Sequence, residues 1–377
     1  MPTSPTDDPD AERDALRDAA TRWFAPTGGR TPADQLAGLP DDVTADTYGD
    51  GGVVDELEAE VADVLGHEAA LFLPTGTMAQ GIALRLHAED ASVPRVAMHP
   101  TAHPLVHEAD SLPEVHGLVP VPLGTPQTLP TVADLDAITD PLAAALLELP
   151  ARELGGRLHD WDDLLALVQA TRDRGAAVHL DGARLWECEP AFGRDAAEVA
   201  ALFDSVYVSF YKGLGAVAGA CLAADAGTIA RAATWRHRLG GQPYALWPYA
   251  ASALMALRTE RPRMGERLDH LRAVAAAVRD VAGVEVVPDP PEAALCRLYL
   301  RTTAEAFDDA VRGIARDHGT WTWSRPMATE RPDWVAVELH ASANLQAFEP
   351  AEVAELVARF VEGQPASASS RSASSGT

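Results

Sequence analysis

Cysteine is scarce. The 377-residue chain has three, Cys188, Cys221 and Cys296, widely spaced and without a CxxC pair. That argues against a disulfide framework or a cysteine-built zinc site and fits a reducing compartment. Basic residues are also short, 30 against 56 acids, for a formal charge of -26. With no basic stripe to neutralise phosphates, nucleic acid is not an expected partner. The same deficit argues against adsorption to anionic membranes. No apolar run approaches the ~20 residues that span a bilayer. The start, Met1-Pro2-Thr3-Ser4-Pro5, lacks the basic-then-apolar order of a signal peptide. A soluble, cytoplasmic protein is expected. Its 47% hydrophobic content and its length allow a large core and two domains.

Two short stretches organise what is present. Val178-His179-Leu180-Asp181-Gly182-Ala183-Arg184 is an apolar run ending in an acid, a glycine and an arginine. Ser205-Val206-Tyr207-Val208-Ser209-Phe210-Tyr211-Lys212-Gly213-Leu214-Gly215 is a β-branched run ending in a lysine hemmed in by glycines. Each reads as a buried parallel strand with chemistry at its carboxyl end. A lone buried acid is costly unless paired. Desolvation lowers a lysine's pKa and makes its amine nucleophilic. An acid and a lysine on neighbouring strand ends suit pyridoxal 5'-phosphate, the amine meeting the aldehyde and the acid holding a proton on the pyridine nitrogen. For Asp181 alone, pairing with Arg184 or capping a turn is the structural alternative.

The rest of the chain alternates strand and helix. Asp10 to Phe24 has a helical stripe, and Val54 to Leu65 is a helix closed by Gly66. Ala69–Leu73 reads as a strand, and Pro74-Thr75-Gly76-Thr77 turns it into a helix. Free N–H groups and a hydroxyl at that helix start suit a phosphate. Arg95–Met98 is a strand, followed by His99, His103 and His107 at spacings of four. Pro100 and Pro104 oppose a regular helix there. One imidazole against a flat cofactor ring is preferred to a metal site. Further strands are read at Leu118–Leu123, an edge because of Pro120 and Pro122, at Ala143–Leu149, Ala176–Leu180 and Ala216–Ala224. The repeat predicts an α/β fold whose mainly parallel sheet binds ligands at strand carboxyl ends. From about Arg263 the order becomes strand, strand, helix, strand, helix, a smaller α+β domain. The expected division is 1–38, an N-terminal helix after a disordered start; 39–262, the cofactor-binding large domain; 263–363, the small domain; and 364–377, a disordered Ser/Ala-rich tail.

These residues resemble a known family. Tyr48-Gly49-Asp50, Leu57-Glu58, Thr75 to Ala79, His103, His179 to Leu185 and Lys212 to Gly215 are similar to the corresponding stretches of low-specificity threonine aldolases. Those enzymes are grouped with β-eliminating lyases in the aspartate-aminotransferase-like fold (fold type I). The resemblance implies pyridoxal phosphate on Lys212, Asp181 against the pyridinium nitrogen and His103 stacked on the ring. It implies Gly76 and Thr77 at the phosphate, and Arg184 on the substrate carboxylate or the phenolic oxygen. Tyr48 would lie near the phosphate or substrate, in its own subunit or contributed by the partner in a homodimer or homotetramer. The family's second, C-terminal carboxylate-binding arginine has no clear match near Val335 to His340, where Glu338 stands, and Arg152 or Arg297 would compensate.

The implied reaction is retro-aldol cleavage of a β-hydroxy-α-amino acid to glycine and an aldehyde. Many members carry Glu-Asn-Thr-His where this chain has Glu148-Leu149-Pro150-Ala151. In the family that histidine is linked to deprotonation of the β-hydroxyl; His107 or a water would substitute for it here, and its absence motivates the alternative of β-elimination or another aldol-type condensation. A binding protein without catalysis is the third reading, and it predicts a colourless protein where the enzyme readings predict a yellow one.

Overall fold

The computed structural model describes residues 9–362. The readings of a disordered start and tail fall largely on residues 1–8 and 363–377, outside the described residues.

Seven strands form the main sheet: β1 (Ala69–Leu73), β2 (Arg95–Met98), β3 (Val119–Pro122), β4 (Ala144–Glu148), β5 (Ala177–Gly182), β6 (Ser205–Ser209) and β7 (Ala220–Ala224). Their spatial order is β1-β7-β6-β5-β4-β2-β3. β7 alone runs against its neighbours, β1 and β6; the other pairings are parallel. The strands from β4 to β7 are almost uniformly buried and built from Ala, Val, Leu and Cys, as sheets covered on both faces require. Pro120 and Pro122 place β3 at the edge, where missing N–H groups cost no ladder bond.

Helices cover both faces. Gly52–Leu65 buries Val54, Leu57, Val61 and Leu65 and stops at Gly66, whose φ of 66° only glycine adopts without strain. Gly76–Ala91 follows β1, with Thr75 as its N-cap accepting a hydrogen bond from Met78 N at 3.2 Å.

A second hydrophobic cluster gathers Leu271, Leu298, Phe307, Trp321, Val337, Phe348 and Phe360. Its four-stranded antiparallel sheet has the order β10-β11-β9-β8, with β8 at Val284–Val287, β9 at Leu295–Leu300, β10 at Met327–Ala328 and β11 at Val335–His340. Two elements there differ from the sequence reading. The first helix ends at Ala19, not Phe24. Arg22 and Trp23 pair with Thr320 and Trp321, and Phe24 is buried edge-on against Trp323 and Phe348. Aromatic burial in the second core outweighs helix propensity. β10 was not foreseen: two residues behind Pro326 carry no periodicity, and only pairing with β11 makes them a strand.

Candidate active site

The carboxyl ends of β4, β5 and β6 lie side by side, with Glu148 opposite Asp181 and Asp181 opposite Tyr207 in register. Lys212 follows three residues after β6. A cleft opens there, lined among others by His103, His107, Glu148, Arg152, Asp181, Arg184 and Lys212. A far larger groove between Leu129–Ala133 and Asp289–Glu292 contains no lysine; the chemistry follows the reactive groups, not the volume.

Lys212 sits on a braced loop. A Cβ at Gly213 would overlap the Glu187 carboxylate, so the residue after the lysine must be glycine unless Glu187 moves. Arg267 donates to Gly213 O at 3.3 Å, and Trp186 Nε1 donates to Ser209 O at 3.0 Å. Burial pushes the Lys212 pKa down, against the opposing pull of Asp181. No described carboxylate forms an ion pair with its amine, which lies 5.9 Å from the centroid of the neighbouring Tyr211 ring. Such an amine is poised to lose its proton and attack a carbonyl.

Asp181 is 4% exposed. Its Oδ1 accepts from Ala183 N at 3.0 Å, and no ion pair reaches it. Arg184 instead lies 3.7 Å from Glu187, so the alternative Asp181–Arg184 pair does not form. Burial pushes the Asp181 carboxyl up, with Lys212 pulling the other way. Glu148 beside it is pushed up to about 8 by burial and then by the Asp181 charge. A buried and a half-buried acid facing one cleft with no cation in contact among the described residues are an incomplete arrangement.

His103 is fixed from both ends. Its Nδ1 lies 2.9 Å from Glu108 Oε1, and its backbone N–H donates to Glu148 Oε1 at 2.8 Å. His107 lies 5.1 Å from it, ring to ring. His99 turns away to Thr101 and the Thr125 carbonyl, so the three histidines do not converge.

Arg184 and Arg152 supply positive charge to the cleft. Arg152 pairs with Glu338 at 3.1 Å on β11, a contact from the second sheet. Burial alone would raise the Glu338 carboxyl, but His340 and Arg152 hold it at about 2. Arg297 does not line the cleft; it pairs with Glu153 at 3.3 Å and lies 3.7 Å from Glu338.

Gly76 and Thr77 begin their helix over the same sheet edge. A Cβ on Gly76 would collide with the Tyr207 hydroxyl. Thr75 already satisfies Met78 N, which leaves the Gly76 and Thr77 N–H groups for an anion. Neither residue lines the lysine cleft, nor does Tyr48. Tyr48 is 54% exposed, has φ of 55° and meets Tyr244 edge-on at 5.3 Å.

This donor set fits pyridoxal phosphate. A desolvated amine, a buried acid lacking a cation and a free helix start match the aldehyde, the pyridinium nitrogen and the phosphate. Sequence reasoning passed over Glu148, Glu108, Glu153 and Glu187. The parallel-sheet rule could have singled out Glu148, since it ends a strand as Asp181 does. A count would also have helped: Lys212 is the only lysine, beside 29 arginines.

Glu148 carries a pH signature. A folded pKa above the unfolded 4.5 gives stability that is complete below 4.5 and lost as pH rises through about 8. In cofactor-free protein, Glu148→Gln is expected to flatten the fall in melting temperature across that window. Parallel melting curves for variant and parent would contradict the placement of this acid.

Fold and site together define a pyridoxal-phosphate-dependent enzyme of fold type I, an α/β lyase scaffold. The chain belongs to the beta-eliminating lyase family, whose model matches residues 33–299. It is similar to the low-specificity L-threonine aldolase of Escherichia coli (strain K12), 31% identical over 283 residues, 73% of this chain and 81% of that one. Among solved structures, a Listeria monocytogenes protein provisionally assigned as an L-allo-threonine aldolase superposes with a TM-score of 0.87 at 34% identity, covering 94% of this chain and 99% of that one. An Exiguobacterium protein provisionally assigned as an aromatic amino acid beta-eliminating lyase/threonine aldolase gives 0.86 at 31% identity, covering 93% and 99%.

Proposed function

We propose that this chain cleaves β-hydroxy-α-amino acids of the L-threonine type to glycine and an aldehyde by retro-aldol chemistry. The observation that carries the reading is the convergence of Lys212, Asp181, Arg184 and His103 on one cleft. Similarity to threonine aldolases over most of the chain supports the same reaction.

When bound, pyridoxal phosphate supplies a carbonyl for an amine and an electron sink for the bond broken at Cα. Lys212 would hold it by its amine, Asp181 would keep a proton on the pyridine nitrogen, and His103, locked by Glu108, would lie against the ring. Gly76 and Thr77 donate to the phosphate. Arg184, with Arg152 lining the same cleft, would grip the substrate carboxylate and so orient the bonds at Cα, which would decide between cleavage and elimination.

Residues 39–262 form the cofactor-binding unit and 263–363 the smaller one in this reading. The separate hydrophobic cluster around Leu271, Phe307 and Phe360, which the N-terminal helix joins through Leu16, supports it. A homodimer or homotetramer is part of the proposal, since exposed Tyr48 has no role within its own cleft; light scattering tests it. Three buried, unpaired thiols support a cytoplasmic location, and no helix among the described residues is long and apolar enough to cross a membrane.

The test is product analysis with L-threonine, L-allo-threonine and L-serine. Glycine with acetaldehyde from the first two is the expected result. Release of a keto acid and ammonia, with no glycine, would replace retro-aldol cleavage by β-elimination.

A further inference from the structure

We propose that His107, oriented by Glu153, is the catalytic base that removes the β-hydroxyl proton of the substrate. The inference rests on the retro-aldol reading above, because only that reaction needs a base at the β-oxygen.

His107 lines the same cleft as Lys212, Arg184 and Arg152. Its Nε2 lies 2.9 Å from Glu153 Oε1. Glu153 is in turn clamped: Arg152 Nη1 reaches its carboxylate at 3.4 Å and Arg297 Nη2 at 3.3 Å, while Arg297 Nη1 donates to its backbone carbonyl at 3.0 Å. Burial would raise this carboxyl, yet the His107 hydrogen bond and the two guanidiniums hold it below its usual range. An ionised carboxylate accepting from Nε2–H leaves the lone pair on Nδ1, which has no protein partner among the described residues. That is the orientation-and-stabilisation logic of a histidine backed by an acid.

The other cleft groups are committed. Glu148 accepts from His103 N, and Asp181 from Ala183 N. The His103 ring is tied to Glu108, and the Thr101 hydroxyl to His99. Lys212 is the amine that leaves when substrate enters. His103 is oriented by Glu108 as His107 is by Glu153, but in the reading above its ring lies against the cofactor, which leaves His107 to serve the β-oxygen.

The step balances. The β-O–H bond breaks and its proton moves to His107 Nδ1. The oxygen pair becomes the carbonyl π bond of the aldehyde. The Cα–Cβ bonding pair stays with Cα, where a proton from solvent later restores the C–H of glycine. The resulting imidazolium faces the Glu153 carboxylate and releases its proton to solvent, to which its side chain is 39% exposed.

Two measurements test this. The first uses cofactor-free protein with ¹⁵N-labelled histidine. The spectrum is expected to show His107 protonated at Nε2 and bare at Nδ1, with the signal assigned by its loss in His107→Phe, and Glu153→Gln is expected to disturb that tautomer. A bare Nε2 in the parent would overturn the proposal. The second compares two reactions of the loaded enzyme. His107→Phe and His107→Gln are expected to lower aldehyde release about 100-fold, whereas exchange of the glycine α-proton, which involves no β-oxygen, falls far less. Equal loss of both reactions, or an unchanged aldehyde rate, would overturn the role of His107 alone. A parent enzyme that exchanges glycine but releases no aldehyde would overturn the retro-aldol reading and this proposal with it.

Discussion

Lys212→Ala is expected to lower turnover by at least about a thousandfold and to abolish covalent capture of the cofactor. The argument begins with the loop. Gly213 packs on Glu187 and its carbonyl accepts from Arg267, so the lysine is carried on backbone with little freedom. Burial then lowers the amine's pKa, which raises the fraction able to attack an aldehyde near neutral pH. Because the chain has no other lysine, the readout has almost no background. Borohydride reduction of loaded protein should fix one cofactor per chain, on the peptide containing Lys212, and none in the alanine variant. Lys212→Arg should fail equally, since a guanidinium does not deprotonate in proteins. Turnover within tenfold of the parent in either variant would remove Lys212 from the chemistry.

Asp181→Asn has two effects of opposite sign. Asparagine keeps an oxygen for the Ala183 N–H but cannot carry the charge that pairs with a pyridinium proton. Activity is expected to fall about 100-fold or more. The cofactor-free protein should meanwhile melt higher near neutral pH. Asp181 has its folded pKa raised above 3.8 by burial. Its protonated form therefore contributes stability fully present below 3.8, and that stability is lost as pH rises through the folded value. At neutral pH the parent bears this cost and the amide does not. Adding pyridoxal phosphate should raise the melting temperature more for the parent than for Asp181→Asn, because only the parent gains a new ion pair. Equal cofactor-induced shifts would mean that Asp181 does not meet the ring.

Glu148 and Asp181 illustrate how differently two acids read in a sequence. Asp181 stands out because Gly182, Ala183 and Arg184 follow it. Glu148 ends an equally apolar strand, yet only the parallel register of β4 and β5 brings its carboxylate to the same cleft. His107 was one of three equally spaced histidines, and spacing could not separate it from His99. The loop at Thr125–Thr128 draws His99 away, while Glu153, 46 residues downstream, holds His107 at the cleft. Trp23 and Phe24 failed as helix for a related reason: their partners, Trp321, Trp323 and Phe348, lie near the other end of the chain.

The sequence alone determined the strands of the main sheet, the mainly parallel architecture and the acid–lysine pair. Each rests on local pattern: runs of buried side chains, turns needing glycine, and reactive residues at strand ends. Tertiary structure alone decided which charges neutralise one another. Arg184 turns to Glu187, not Asp181; Arg152 crosses to Glu338; Glu153 gathers His107 and Arg297. Electrostatic energy depends on distance through space and on exclusion of water, and neither quantity is written in the order of residues along a chain.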